Sequence, residues 1–297
     1  MNKTFPFCLL IILLFINTSL GQDSLPDTKE IVNKAAEQQS VYVNTFKNLI
    51  AEENKTIESY DENGNLEKNR EIVSTFIVYQ FSTDANQAAE FRNVLSVDGK
   101  PVKNADKRAQ KFFEKIVKAE SSKKELDKLT DESLRYDRYL KLFGFTLNKA
   151  VYLSKNLISY FDFQIVRKEN YNGREVFILG YKQLRESPDI IITTSKDIKL
   201  NARLSGSLWI DAETFQVWRE ERERTVQPEI FDKPVMTSQE TYEYQKSDFG
   251  ILTPKKITYT NYAVKVLQKT SVKDAKLTLE YGKFSKPETE IKSADVK

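Results

Sequence analysis

The sequence predicts an α+β protein built mainly from an antiparallel β-sheet of about ten strands, interrupted by one helical insert. From Ser159 onward apolar and polar residues alternate, which is the period of a strand. Asn63-Gly64 and Asn172-Gly173 favour the tight turns that join antiparallel neighbours. Residues 105–119 instead follow the period of an amphipathic helix.

The N-terminus predicts a cleaved signal peptide. Lys3 supplies a positive charge, and residues 7–16 form an apolar run of about ten residues, the length of a signal core. Because a membrane-spanning helix needs about 20 residues, we expect no transmembrane segment in the mature chain. Ser19-Leu20-Gly21 fits the small-residue cleavage pattern, so cleavage is predicted after Gly21 and residues 1–21 are removed.

The composition excludes most catalytic and metal-binding residue sets. The 297 residues include no His, and the single Cys is Cys8, which lies in the predicted signal peptide. The mature chain therefore has no His general base, no thiolate nucleophile, no disulfide and no Cys zinc site. With 46 Lys and Arg against 43 Asp and Glu, the charge gives no argument for nucleic-acid binding. We expect no cofactor, no metal site and no catalytic residue.

The first part of the mature chain is predicted to form a helix and then strands. Asp27 and Glu30 are spaced as a reciprocal N-cap, which places a short helix at 28–40. Residues 61–65 are typical of a hairpin turn, since the closing Glu of a helical calcium-binding loop is absent. Predicted strands cover 41–60, 66–82 and 91–97.

A helical insert is predicted at 105–157. Its most regular part is a helix at 105–119, whose apolar residues recur at helical spacing, namely Ala109, Phe112, Phe113, Ile116 and Val117. A second amphipathic face follows, formed by Tyr136, Tyr139, Leu140 and Phe143. A short helix is expected near 148–156. The mixed charges of 107–141 favour a solvated surface over contact with anionic lipid.

The rest of the chain is predicted to be a meander of strands. These include 176–179, 190–193, 204–211, 215–225, 241–245, 256–264 and 277–284, with a long loop at 226–238. If Asp211 pairs with Gln216, then Trp209 faces Trp218 as a cross-strand aromatic pair. Residues 22–287 form one predicted domain, and 288–297 form a polar tail.

Carboxylates are dense near the predicted hairpin at 204–225, namely Asp211, Glu213, Glu220, Glu221 and Glu223. A glycosidase needs two carboxylates across a cleft. The neighbouring Arg219, Arg222 and Arg224 favour instead the charged outer face of a hairpin.

Aromatic residues make up 11% of the chain, and most lie on predicted strands. Strands that are apolar on both faces need two coverings. Helices can cover one face, so an apolar groove inside a curved sheet is a candidate ligand site, and an ordinary filled core is the alternative. The candidate lining residues are Phe76, Val78, Phe161, Phe163, Phe177, Trp209, Trp218, Tyr242 and Tyr244.

Two segments carry a resemblance to a known superfamily. FRNVLSVDGKP at 91–101 and GSLWIDAETF at 206–215 look like segments of bacterial exported proteins. Together with the order of elements, they make residues 28–284 similar to the LolA/LolB/RseB-like superfamily of periplasmic lipoprotein carriers. The resemblance implies a curved open half-barrel of about ten strands with helices packed in or over its concave face. It implies a periplasmic location, with the external medium as the alternative. The large insert departs from the compact carriers, which weakens the implication of lipoprotein carriage.

Three functional hypotheses follow. The first is a non-enzymatic periplasmic protein that binds lipid or lipoprotein acyl chains, as in outer-membrane lipoprotein sorting. The second is an envelope module on the same fold that binds a protein partner or senses stress through its exposed face and basic helices. The third is a carboxylate-based hydrolase. An open apolar groove would favour the first hypothesis, and a filled interior would favour the second.

Overall fold

The structure is a computed structural model that describes residues 26–82, 88–105, 108–137, 144–184, 191–193 and 199–288. Over these residues the chain forms twelve strands in one antiparallel sheet, three α-helices and three short 3-10 turns. The predicted α+β class with a mainly antiparallel sheet is therefore confirmed. The sheet does not close on itself within the described residues, as expected of a half-barrel.

The helices are α1 (Thr28–Thr45), α2 (Ala109–Ala119) and α3 (Lys123–Ser133). The strands that precede the helical insert are β1 (Leu49–Tyr60), β2 (Leu66–Gln80), β3 (Ala88–Val97) and β4 (Lys100–Pro101). The strands that follow it are β5 (Phe161–Tyr171), β6 (Arg174–Gln183), β7 (Ile191–Thr193), β8 (Lys199–Asp211), β9 (Val217–Val226), β10 (Val235–Lys246), β11 (Leu252–Lys265) and β12 (Thr270–Tyr281). The 3-10 turns lie between α3 and β5, at Thr146–Asn148, Val151–Leu153 and Ile158–Tyr160.

The strand order explains why the helical insert crosses the sheet. The strands lie in the order β4-β3-β2-β1-β12-β11-β10-β9-β8-β6-β5, and β7 pairs with β8. β4 and β5 follow each other in the chain but occupy the two ends of this order. The connection between them must therefore run from one edge of the sheet to the other.

Two hydrogen bonds show that the sheet curves around this connection. Glu90 of β3 accepts one from the amide of Thr146 (2.9 Å), and Glu220 of β9 accepts one from the amide of Ala150 (2.8 Å). β3 and β9 are six strand spacings apart, about 29 Å in a flat sheet, whereas an extended chain from Thr146 to Ala150 spans at most about 14 Å. Because strand side chains stand roughly perpendicular to a sheet, the two strands must face each other across residues 144–160, which we call the inner segment.

α1 and the inner segment share the concave face of the sheet. Ile31 of α1 packs in one buried cluster with Tyr152 of the inner segment and Leu208 of β8. Tyr42, near the end of α1, packs in a second cluster with Phe76 of β2. The chain's own residues thus cover the concave face at both ends of the sheet.

α2 packs on the opposite, convex face of the sheet, where it covers β2 and β3. Phe112 and Ile116 of α2 pack with Ile77 of β2 and Phe91 of β3. Since successive side chains of a strand point to opposite faces, Ile77 points away from its neighbour Phe76. The apolar run around these residues is therefore explained by coverings on both faces of the strand.

Most predicted elements are confirmed, with shifted ends. α1 continues to Thr45 instead of ending at residue 40, because the buried Tyr42 extends its apolar face. β10 begins at Val235, inside the predicted loop at 226–238. The short helix expected near 148–156 is limited to the 3-10 turn Val151–Leu153, because Ala150 has a φ of 38°, which an α-helix does not allow. Tyr139, Leu140 and Phe143 of the second amphipathic face lie outside the described residues.

The predicted pairing of the two tryptophans is wrong. Ile210 pairs with Val217 as expected, but a bulge follows, so that Trp209 pairs with Arg219. The Arg219 guanidinium lies 5.1 Å from the centroid of the Trp209 ring. An extra residue in one strand shifts the pairing by one position, and strict alternation along the sequence does not reveal it.

Residues 1–25 and 289–297 lie outside the described residues. The signal peptide, its cleavage after Gly21, the domain limits 22–287 and the polar tail therefore stay predictions. Within the described ranges, no helix combines the length and the apolar character that crossing a membrane requires.

The close approach of β8 and β9 at Gly206 is testable. An added Cβ would lie 1.9 Å from the carbonyl oxygen of Glu221 and 2.7 Å from the hydroxyl oxygen of Tyr181. We expect Gly206→Ala to lower the free energy of unfolding by about 2–3 kcal/mol, as measured by urea denaturation. Gly282→Ala is the control, since its Cβ would meet Glu52 at an ordinary 3.7 Å. Equal losses from the two variants would contradict the close approach.

Candidate functional site

The buried carboxylate of Glu90 holds the start of the inner segment against β3. One oxygen accepts a hydrogen bond from the amide of Gly144 (2.9 Å). The other accepts hydrogen bonds from the amide (2.9 Å) and the hydroxyl (2.6 Å) of Thr146. Hydrogen bonds to a charged acceptor are roughly twice as strong as neutral ones. Glu90 therefore fixes the point at which the chain enters the concave face.

The guanidinium of Arg92 compensates this buried charge. Its Nε and Nη2 bind the two oxygens of Glu53 at 2.7 and 2.8 Å, and Nη1 and Nη2 both lie 3.2 Å from Glu90 Oε2. Glu53 is 0% exposed and Arg92 is 1% exposed. Burial alone would raise the pKa of the Glu53 carboxyl, but the charges of Arg92 and Lys55 and the hydrogen bond from Arg92 outweigh burial and lower this pKa. Glu53 is therefore ionised at neutral pH.

A second ion pair extends this group of charges. Lys55 Nζ lies 2.8 and 3.1 Å from the two oxygens of Asp137, and both side chains are buried. Burial raises the pKa of the Asp137 carboxyl, and the charge of Lys55 only partly offsets that effect. We call these five residues the first charged cluster: Glu53, Lys55, Glu90, Arg92 and Asp137.

A second charged cluster lies on β9 and β10 and consists of Glu220, Arg222 and Glu240. Arg222 Nε binds Glu220 (2.9 Å), Nη1 binds Glu240 (3.1 Å) and Nη2 donates to the carbonyl oxygen of Asn148 (3.0 Å). Glu220 in turn accepts the amide of Ala150. The second charged cluster thus binds both a carbonyl and an amide group of the inner segment.

The prediction of a charged outer hairpin face is wrong for three of its members, since Asp211, Glu220 and Arg222 are buried. Glu220 is fully buried and Arg222 is nearly so. Side chains of a strand alternate between its faces, so Glu220 and Arg222 point inward while the partly exposed Glu221 between them points outward. The high charge of the surrounding sequence hides this alternation.

Lys149 lies between the two charged clusters and has no ion-pair partner among the described residues. Its ammonium nitrogen lies 4.0 Å from the ring centroid of Tyr244 and 4.4 Å from that of Tyr42. The residue is 2% exposed. Burial lowers its pKa well below the ordinary value, and the charge of Glu220 counteracts burial only in part. The amine is thus held in place by aromatic faces and by the fixed backbone of the inner segment.

The predicted lining residues are placed in three buried clusters. Phe76, Val78, Trp218, Tyr242 and Tyr244 belong to one, and Phe161 and Phe177 belong to another, against which Phe163 packs. Trp209 lies in the third with Val176 and Ile178. These residues contact the chain itself: the ring of Phe76 is 5.1 Å from that of Tyr281, and the ring of Phe161 is 5.4 Å from that of Tyr152.

The described residues line several cavities, and three of them are close to the elements discussed above. One of about 80 Å³ lies between α1, Lys149 and Leu252. One of about 360 Å³ lies beside Leu49 and Lys286, and an open polar groove of about 480 Å³ lies beside Gly180 and Ser205. None of the predicted lining residues lines these three cavities. The assignment of those residues as ligand contacts stays a prediction.

The carboxylates that suggested a hydrolase have structural partners. Asp211 accepts hydrogen bonds from the amides of Glu213 (3.1 Å) and Thr214 (2.8 Å), which stabilises the turn between β8 and β9. Glu220 belongs to the second charged cluster. In the part of the chain that the structure describes, no three His, Cys, Asp or Glu side chains are grouped to hold a metal ion.

Sequence reasoning missed both charged clusters, although a signal for them exists. Glu53 and Lys55 occupy the same alternate positions of β1 as the buried Ala51 and Ile57. When charged residues occupy the same alternate positions of a strand as apolar ones, their side chains are expected to point inward. Buried charges of this kind need ion-pair or hydrogen-bond partners. The partners come from strands and turns distant in sequence, so the pattern could reveal the burial but not the pairing.

Known family models and curated protein sequences give no match to this chain. Several solved structures are similar to it. A DUF1329 family protein from Desulfovibrio piger is 11% identical at a TM-score of 0.38, over 89% of this chain and 95% of that one. A putative outer membrane lipoprotein-sorting protein domain from Vibrio parahaemolyticus is 11% identical at a TM-score of 0.37, over 90% and 96%. A LolA superfamily protein from Nitrosomonas europaea is 9% identical at a TM-score of 0.30, over 87% and 92%.

The chain is similar to LolA-like proteins. Two of these structures are named as a lipoprotein-sorting protein and a LolA superfamily protein, which is the superfamily that the sequence resembles. At these identities and TM-scores, the similarity carries no argument about a ligand or a partner.

The pair of Lys55 and Asp137 should show strong energetic coupling. Removing one partner leaves the other as an uncompensated buried charge, so we expect Lys55→Met and Asp137→Asn each to lower the free energy of unfolding by about 3–5 kcal/mol. The double variant should lose clearly less than the sum, as measured by urea denaturation. The exposed pair Lys256–Glu280, at 2.7 Å, is the control, with an expected coupling of about 0.2–1 kcal/mol. Similar coupling in both pairs would contradict the burial of the inner one.

Lys149→Met should stabilise the protein at neutral pH and change its pH dependence. Because burial lowers the pKa of Lys149, the unfolded chain binds more protons at this residue than the folded chain, up to the ordinary pKa of about 10.4. The stability of the wild type therefore rises with pH through this window, and the advantage of the variant should shrink towards about pH 10. Urea denaturation at several pH values measures this change. The exposed Lys246→Met is the control, and a pH-independent advantage for Lys149→Met would contradict the lowered pKa.

Proposed function

We propose that this protein is an exported, non-catalytic binding protein of the periplasm whose ligand is another protein. One observation carries the proposal: the concave face, which a lipid ligand would need as an open groove, is filled by α1 and the inner segment. This favours the second of the three functional hypotheses, a protein-interaction module.

The charged clusters add an energetic argument against an acyl chain in this face. To enter, the chain would have to displace the inner segment from Glu90, Glu220 and Arg222. An acyl chain has no hydrogen-bonding groups, so it would leave these buried charges without partners, at a cost of several kcal/mol. The inner segment therefore behaves as a fixed part of the fold.

The outer face of α2 is a candidate docking surface for such a partner. Phe112 and Ile116 anchor the helix on the sheet, so its position is fixed. Lys111 and Lys118 lie on the opposite, exposed side of the helix. A fixed surface with exposed lysines complements an acidic segment of an envelope protein.

Charge reversal tests this surface. We expect a cross-linking pull-down from envelope extract to recover one stoichiometric partner, and Lys111→Glu with Lys118→Glu to lower its recovery about tenfold or more. Lys246→Glu with Lys255→Glu, two exposed lysines of β10 and β11, is the matched control. Equal loss in the control, or no stoichiometric partner for the wild type, would argue against the proposal.

Lipid binding is the second candidate, because the face beneath the inner segment is rich in aromatic side chains. A native mass spectrum of the purified protein and a fluorescent fatty-acid probe test it. We expect no lipid adduct and no uptake by the wild type. Uptake that increases in Glu90→Gln, which weakens the hold on the inner segment, but not in the exposed Glu52→Gln, would favour lipid binding over the protein partner.

A further inference from the structure

The turn between β11 and β12 differs in composition from other hairpin turns of this chain. The β1–β2 and β5–β6 turns contain Asn63-Gly64 and Asn172-Gly173, and in them Gly64, Asn172 and Gly173 adopt positive φ. The β11–β12 turn is Val266-Leu267-Gln268-Lys269, closed by a hydrogen bond from the Lys269 amide to the Val266 carbonyl (3.2 Å). Lys269 takes the positive φ, 51°, which Gly or Asn adopts more readily. Hairpin formation by itself does not account for this sequence.

The turn exposes large apolar side chains. Leu267 is 94% exposed and Val266 is 54% exposed. Ile230, in the neighbouring loop between β9 and β10, is 60% exposed. This loop lies against the hairpin, because Lys269 Nζ is 3.3 Å from Asp232 and Val264 packs with the buried Phe231. We call Ile230, Val266 and Leu267 the apolar tip.

The β11–β12 turn itself carries only positive charges, whereas the neighbouring loop that holds Ile230 adds Glu229, Asp232 and Lys233. Between residues 261 and 273 the charged residues are Lys265, Lys269 and Lys273, with no Asp or Glu. Lys265 and Lys269 directly flank the two apolar residues of the turn. An apolar tip between lysines complements a negatively charged surface that has an apolar layer behind it.

We propose that the apolar tip binds the surface of an anionic phospholipid bilayer. Leu267 enters the boundary between headgroups and acyl chains, while Lys265 pairs with a lipid phosphate and Lys269 exchanges its exposed partner Asp232 for another phosphate. A protruding turn needs no complementary pocket in a bilayer, whereas a protein partner would have to supply one. The tip also lacks the Trp, Tyr and Arg residues that dominate protein–protein contacts. The proposed membrane contact does not depend on the proposed protein partner, because a lipid bilayer alone is enough to form it.

Vesicle flotation of the purified protein tests the proposal. We expect binding to vesicles of phosphatidylcholine with phosphatidylglycerol, weaker binding to phosphatidylcholine alone, and loss of binding at high salt. Leu267→Asp should lower the partition coefficient about tenfold or more, because burial of one Leu side chain is lost. Lys265→Glu with Lys269→Glu should abolish the preference for phosphatidylglycerol.

Leu184→Asp is the matched control, because Leu184 is 64% exposed and directly follows β6. It should leave vesicle binding unchanged. Thermal unfolding should be unaffected in Leu267→Asp, since the side chain makes little contact with the rest of the protein. The proposal fails if the wild type does not float with anionic vesicles, or if Leu267→Asp and Leu184→Asp bind as tightly as the wild type. Vesicles contain no protein, so this failure is distinguishable from the absence of a protein partner.

Discussion

The interaction on which the rest of the structure depends is the hydrogen bonding of two strand carboxylates to the backbone of the inner segment. β4 and β5 follow each other in the chain but lie at opposite ends of the sheet, so their connection has to cross it. Glu90 and Glu220 fix this crossing on the concave face. Because these carboxylates come from strands far apart in the sheet, the same bonds require the sheet to curve.

The charged clusters provide hydrogen-bond partners for the irregular backbone of the inner segment. The inner segment forms only short 3-10 turns, so many of its amides and carbonyls have no partner within the segment. Glu90, Glu220 and Arg222 supply those partners from the sheet, and Arg92 and Glu240 balance the buried charge. Apolar residues of the same volume could fill the space but could not satisfy this backbone, which gives the buried ions a structural reason despite their desolvation cost.

This arrangement is the reason why we place the proposed contacts on the outer surface and not on the concave face. The concave face is occupied by the chain itself, and its aromatic residues form a core. Among the described residues, the outer side of α2 and the turn between β11 and β12 are the two exposed surfaces on which our proposals rest. The proposed protein contact and the proposed membrane contact can be made together, since the two surfaces lie on different elements.

The sequence by itself determined the class of fold and most of its elements, because strand alternation and Asn-Gly turns act over a few residues. It also determined the apolar set, including Phe76 and Tyr242, since burial follows hydrophobicity. Only the tertiary structure decided what covers that set. The pairing of Arg92 with Glu53, the bulge that separates Trp209 from Trp218, and the path of the inner segment depend on residues distant in sequence. Their geometry is set by the strand order, which no local pattern contains.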